Sequence, residues 1–104
     1  MFKIDDEHTW HEALSLSHQQ PIIVDCFAEW CGPCKRFAPE FHNMANEFPH
    51  VAFCSLDVDE LTEVVMELSV RSVPTFLFIR NGKVQHQIVG PKGDVIREYL
   101  KTFN

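Results

Sequence analysis

Three runs of this chain are apolar almost from end to end: Pro21–Ala28 (PIIVDCFA), Val51–Val58 (VAFCSLDV) and Thr75–Ile79 (TFLFI). A strand with one face in water alternates apolar and polar residues, whereas a strand covered on both faces does not. These runs therefore predict central strands, and they restrict the chain to folds that cover both faces of a sheet. The cover lies between them. Cys34, Phe37, Phe41, Met44, Ala45 and Phe48 recur at helical steps of three and four, and Val95, Ile96, Tyr99, Leu100 and Phe103 form a second stripe. A first helix carrying Trp10, Ala13 and Leu14 is expected after a cap at Asp5 or Asp6, a short one around Leu61–Leu68, and a last one capped by Asp94. Pro39 falls inside the second helix, where its missing amide predicts a kink.

A fourth run, Lys83–Val89, is more polar and reads as an edge strand. Asn81-Gly82 precedes it, a dipeptide suited to a type I′ turn because both central residues need positive φ, so the last two strands form a hairpin. The expected order is βαβαβαββα: an α/β fold with a central mixed sheet of about five strands flanked by four helices. With 104 residues and no repeat, low-complexity stretch or linker-like run, residues 1–104 read as a single domain.

Charge excludes some partners. A formal net charge of −6 argues against nucleic acid, which requires a surplus of Lys and Arg to displace counterions, and against docking on anionic lipid. No apolar run approaches the length of a membrane span, the N-terminal residues lack the pattern of a secretory signal, and the C-terminal residues match no lipidation or retention signal. A cytoplasmic, reducing location is the expectation, and there four cysteines read as working thiols or core residues rather than as a disulfide scaffold.

The working thiols are Cys31 and Cys34. Cys31-Gly32-Pro33-Cys34 follows a buried strand and opens a helix. A helix start carries unpaired amide N–H groups and partial positive charge, which stabilises a thiolate and lowers its pKa. Only the thiolate attacks disulfides. The two-residue spacer brings the second sulfur one turn along, within disulfide reach. Pro33 fixes φ at the helix start, and Gly32 leaves room for a substrate. Cys31, on the turn, is expected to be exposed, and Cys34 to be shielded by Phe27 and Trp30, so that Cys31 attacks and Cys34 resolves. The competing reading of the motif is half of a zinc site. A tetrahedral site of that kind needs a second ligand pair at matching spacing, and the sequence offers none. Cys26 and Cys54 lie apart in two buried runs and read as core thiols. The six histidines (8, 11, 18, 42, 50 and 86) are scattered, with none beside the dithiol in sequence, and read as surface residues.

Asp25 breaks the first apolar run. Burying a carboxylate raises its pKa, so Asp25 is either a proton acceptor for Cys34, acting through water, or a carboxylate tied to local backbone.

The segment from Val24 to Lys35, VDCFAEWCGPCK, resembles the active-site segment of the thioredoxins. Ala38-Pro39 lies where that family kinks its second helix, Val73-Pro74-Thr75 resembles its cis-proline loop, and Val89-Gly90 its late glycine. The resemblance covers essentially the whole chain and implies the thioredoxin fold. It also implies a cis bond before Pro74, with the backbone of Val73 pairing with a substrate chain. It places an apolar docking patch at Trp30, Gly32, Pro33, Val58, Val73, Pro74, Val89 and Gly90, although strand packing alone would account for Val58 and Val89.

The activity implied is reduction of protein disulfides by a monomer that binds no cofactor. Its Cys31–Cys34 disulfide is re-reduced by a thioredoxin reductase drawing on NADPH. Peroxiredoxins, ribonucleotide reductase and methionine sulfoxide reductases are the substrate types expected by resemblance. The Gly-Pro spacer points the same way: thioredoxins, with a potential of about −270 mV, are the standard example of a reductant, against about −180 mV for protein disulfide isomerase. A binding module on the same fold, without redox cycling, is the rival from another class. An oxidant or isomerase is the third. In two places the chain departs from the family pattern. Phe27 stands where many thioredoxins carry Trp, and Ser55 where some carry a Lys near the buried Asp.

Overall fold

The computed structural model describes residues 1–104. In chain order the elements are β1 (Phe2–Ile4), α1 (Glu7–Leu16), β2 (Ile22–Phe27), α2 (Gly32–Glu47), β3 (Ala52–Asp57), α3 (Thr62–Glu67), β4 (Thr75–Arg80), β5 (Lys83–Val89) and α4 (Gly93–Leu100). They form one five-stranded sheet in the order β1-β3-β2-β4-β5. β1, β3 and β2 are parallel, and β4 and β5 close the sheet antiparallel.

The three apolar runs are the three inner strands, as their composition predicts. Side-chain alternation sends Ile22, Val24, Cys26, Cys54, Leu56, Leu77 and Ile79 to one face, where Trp10 and Ala13 of α1 and Val64 of α3 cover them. Ile23, Phe53, Phe76 and Phe78 face the other way, against Phe37, Phe41 and Met44 of α2 and Ile96 and Leu100 of α4. Phe41 lies at the centre of this second layer, with its ring 5.0 Å from Phe53 and 5.3 Å from Phe76. Arg97 of α4 bridges to Glu40 at 2.6 Å and Glu47 at 3.0 Å and so ties α4 to α2.

Local signals hold in most places. Asp6 caps α1: its Oδ1 accepts the Thr9 amide at 2.7 Å, while Thr9 Oγ1 accepts the Asp6 amide at 3.0 Å. Asn81 and Gly82 both have positive φ, 55° and 75°, as a type I′ hairpin requires. The expected cap at Asp94 is a correction. α4 starts two residues earlier than that cap implies, at Gly93, with Lys92 at the N-cap and no side-chain cap bond, and Asp94 instead places its charge in the positive first turn. Pro39 lies within α2 without ending it. Cys26 and Cys54 are both fully buried on the same face of adjacent strands, Cys54 opposite Val24 in register, so they are diagonal neighbours in one core rather than isolated from each other.

The pairing also sets where chemistry can gather. Asp57 at the end of β3 lies beside Phe27 at the end of β2. Cys26 lies beside Thr75 at the start of β4, and Thr75 beside Val89 at the end of β5. Four loops therefore leave or enter the sheet along one edge.

Candidate active site

Cys31 and Cys34 form a disulfide at that edge, with their Cα atoms 5.3 Å apart. Cys31 is the N-cap of α2, in extended conformation, and its Sγ accepts the Cys34 amide N–H at 3.1 Å. A hydroxyl or carboxylate in this position satisfies one unpaired amide of the helix start. Here a sulfur does so, which directs the amide and the positive end of a sixteen-residue helix at the Cys31 atom.

The expected contrast in exposure is not found. Cys31 is 4% exposed and Cys34 6%, in one cluster with Ala28 against which Phe27, Val58 and Val73 pack. Nor does Trp30 shield Cys34. Trp30 is 72% exposed, and its Nε1–H donates to Asp59 Oδ2 at 2.9 Å. Asp59 is itself positioned by its amide, which donates to Asp57 Oδ1 at 2.9 Å. Asp57 and Asp59 escaped the sequence reading. Their only signal is the Asp57-Val58-Asp59 alternation just past a buried strand.

What separates the two sulfurs is the second environment. Cys34, and not Cys31, lines a cavity of about 400 Å³ that it shares with Asp25, Phe27, Ala28, Ser55 and His42. Asp25 is half-buried there, with its Oδ1 shielded from solvent and without a hydrogen-bond partner. Removal from water pushes the Asp25 carboxyl up to about 7. Ser55 pairs with Asp25 across β2–β3, so the position from which a Lys would counter the carboxylate holds a neutral hydroxyl. His42 borders this cavity although it lies eight residues from Cys34. The helix brings it back to the same face at i+8, a periodicity that can be read from the sequence. All six histidines are solvent-exposed, as expected. Cys26 and Cys54 contribute nothing to the site: burial pushes the Cys26 thiol far up and Cys54 up to about 12.

The remaining expected residues are distributed unevenly. Val58 and Val73 touch the dithiol cluster. The Val73–Pro74 bond is cis, Pro74 is buried, and the Pro74 carbonyl accepts the Gly90 amide at 2.9 Å. Gly90 adopts φ of 95°, which a side chain rarely permits. Val89, beside Thr75, is exposed and outside the cluster, as are Trp30 and Pro33.

The family model for thioredoxin matches residues 2–102. Thioredoxin Asp f 29 of Aspergillus fumigatus is 40% identical over 102 residues, covering 96% of this chain and 92% of that protein. The solved thioredoxin of Fasciola hepatica superposes with a TM-score of 0.93 at 33% identity, covering all of both chains. A chain from a structure addressing thiol resolution in yeast mitochondrial 1-Cys peroxiredoxin via glutathione and thioredoxin systems superposes at 0.86 with 27% identity, covering 97% and 93%. Sheet order, dithiol placement and the family match agree, and the chain belongs to the thioredoxin family of thiol–disulfide oxidoreductases.

Proposed function

We propose that the chain is one domain that works as a cytoplasmic, monomeric reductant of protein disulfides, with Cys31 as nucleophile, Cys34 as resolver and Asp25 as its proton acceptor. The carrying observation is the unequal setting of the two sulfurs. Cys31 Sγ takes the amide of the helix start, whereas Cys34 opens on the cavity of Asp25. In the reduced protein the first favours a thiolate at position 31, and the second gives Cys34 a nearby base.

The Cys31 thiolate attacks a substrate disulfide, forming a mixed disulfide and releasing one substrate thiolate, which takes a proton from water. Cys34 gives its proton to Asp25 through water and attacks Cys31 Sγ. The second substrate thiolate leaves, and the Cys31–Cys34 disulfide holds the chain's two-electron oxidation. A thioredoxin reductase drawing on NADPH returns two electrons and two protons. The apolar strip of Trp30, Gly32, Pro33, Val58, Val73, Pro74, Val89 and Gly90 receives the partner, with the Val73 backbone pairing with its chain. Disulfides of the peroxiredoxin type are the first substrates to try, supported by the yeast neighbour. Ribonucleotide reductase and methionine sulfoxide reductase types follow from the family alone.

Insulin reduction tests the assignment. Cys31→Ser abolishes turnover, and Cys34→Ser accumulates a mixed disulfide with the substrate. Undiminished turnover by Cys31→Ser overturns the reading, as does an alkylation-rate profile that gives Cys31 an ordinary thiol pKa.

A further inference from the structure

Arg36 holds a positive charge where the helix dipole disfavours one. It lies in the second turn of α2, and long helical side chains lean towards the N-terminus, so its guanidinium folds back over Gly32. Nη1 is 3.1 Å from where a Gly32 Cβ would sit, and Cζ and Nη2 are 3.8 Å from it. Gly32 opens the helix and follows Cys31 directly. Successive Cα atoms are about 3.8 Å apart, so Nη1 lies within about 8.5 Å of the Cys31 Cα. A cation at the positive end of a helix is unfavourable unless an anion shares the site.

Arg36 is also left without an acid. Glu40 stands one turn further along α2, at the spacing of a helical ion pair, but Arg97 of α4 takes it at 2.6 Å. Arg36 is exposed and forms no ion pair. The other charges at this edge are engaged or placed elsewhere. Asp59 holds Trp30, and Asp57 holds the Asp59 amide. Glu29 and Lys35 line the cavity behind Cys34 together with Asp25. Lys92 lies over Gly90, and Glu60 and Arg71 are exposed in the segments flanking α3. The carboxylates among these disfavour a further anion at the edge, whereas Arg36 has its charged group against the residue next to Cys31.

We infer that Arg36 is the counter-ion of the Cys31 thiolate, an electrostatic residue of the site that acts once the disulfide is reduced. The inference rests on Cys31 being the nucleophile. When the Cys31 thiol gives its proton to water, the guanidinium that no acid of the chain claims offsets the charge left on Sγ, alongside the Cys34 amide. Because the anion exists only in the reduced protein, Arg36 also favours the dithiol over the disulfide.

The test is the pH profile of iodoacetamide labelling at Cys31 in the reduced protein, read by peptide mass spectrometry. At pH 6 and low salt, Arg36→Gln labels about threefold more slowly than the parent, and Arg36→Glu more slowly still. Above pH 9, where the thiol is ionised in every variant, the slowing disappears. Arg36→Lys, which keeps the charge, recovers most of the rate, and 1 M NaCl narrows the gap between parent and Arg36→Gln. In a glutathione titration the Arg36→Gln disulfide is the harder to reduce. Lys83→Gln, which removes one positive charge at the far end of β5, leaves the labelling profile where it was. An acidic Cys31 whose profile is the same in Arg36→Gln, or a shift of equal size in Lys83→Gln, overturns the inference and leaves the reductase reading standing. An ordinary thiol profile in the parent protein overturns that reading as well.

Discussion

Asp25 is the residue at which burial and chemistry meet. Its carboxyl is raised from an ordinary value of 3.8 to about 7, with desolvation as the cause. Between those pH values the folded chain therefore binds a proton that the unfolded chain has released, and stability falls as pH rises towards 7 before levelling off. Asp25→Asn removes the cost. In urea unfolding of the oxidised protein, the variant is more stable than the parent by about 2 to 4 kcal/mol at pH 8, and near pH 4 the difference vanishes. The same substitution slows release of the mixed disulfide by about tenfold or more at neutral pH, read by single-turnover reduction. For the four cysteines, the helix-start amide at Cys31 Sγ and the full burial of Cys26 and Cys54 predict that iodoacetamide labels the native reduced chain at Cys31, more slowly at Cys34, and not at Cys26 or Cys54, with peptide mass spectrometry as the readout. Residue identities at the site were readable from the sequence, since the Cys-x-x-Cys spacing and a carboxylate in an apolar run carry their chemistry with them. Exposure was not. Cys31 is buried in a cluster against which Val58 and Val73 pack, 27 and 42 positions further along the chain, and only the packed fold brings them there.

Among the elements, α2 has the most at stake, because one helix supplies Cys34, a wall of the Asp25 cavity and the centre of a core layer. Phe41→Ala removes the ring lodged between Phe53 and Phe76 and costs about 3 to 5 kcal/mol in denaturant unfolding, as expected for deleting a fully buried aromatic. A cost below 1 kcal/mol would mean that the layer rearranges to fill the space. Element type was legible wherever the period was unambiguous: the runs of β2, β3 and β4, the hairpin turn at Asn81-Gly82, and the stripe of α2. Helix starts were less so. Asp6 caps α1 through a reciprocal pair with Thr9, whereas Asp94, equally suited by composition, lies inside α4, which begins at Gly93 without a side-chain cap.

For the molecule as a whole, layering predicts an order of opening. β2 and β4 lie within the sheet and are covered on both faces, while β1 has three residues and β5 exposes all but Ile88. In native-state hydrogen exchange the amides of Ile23, Val24, Phe76 and Leu77 exchange last, and those of Lys83–Gln87 are among the first of any strand. Equal protection across the sheet would contradict this order. The amino-acid sequence alone determined the period of each segment, the pair of sulfurs one turn apart at a helix start, and a carboxylate placed where water is scarce, because all of these are properties of neighbours along the chain. The tertiary structure alone decided that Val58 and Val73 pack against the dithiol cluster, that Asp59 holds Trp30, that His42 and Ser55 border the cavity of Asp25, and that both sulfurs lie under cover. Those outcomes depend on strand order and register, which bring distant residues together through contacts that no local pattern encodes.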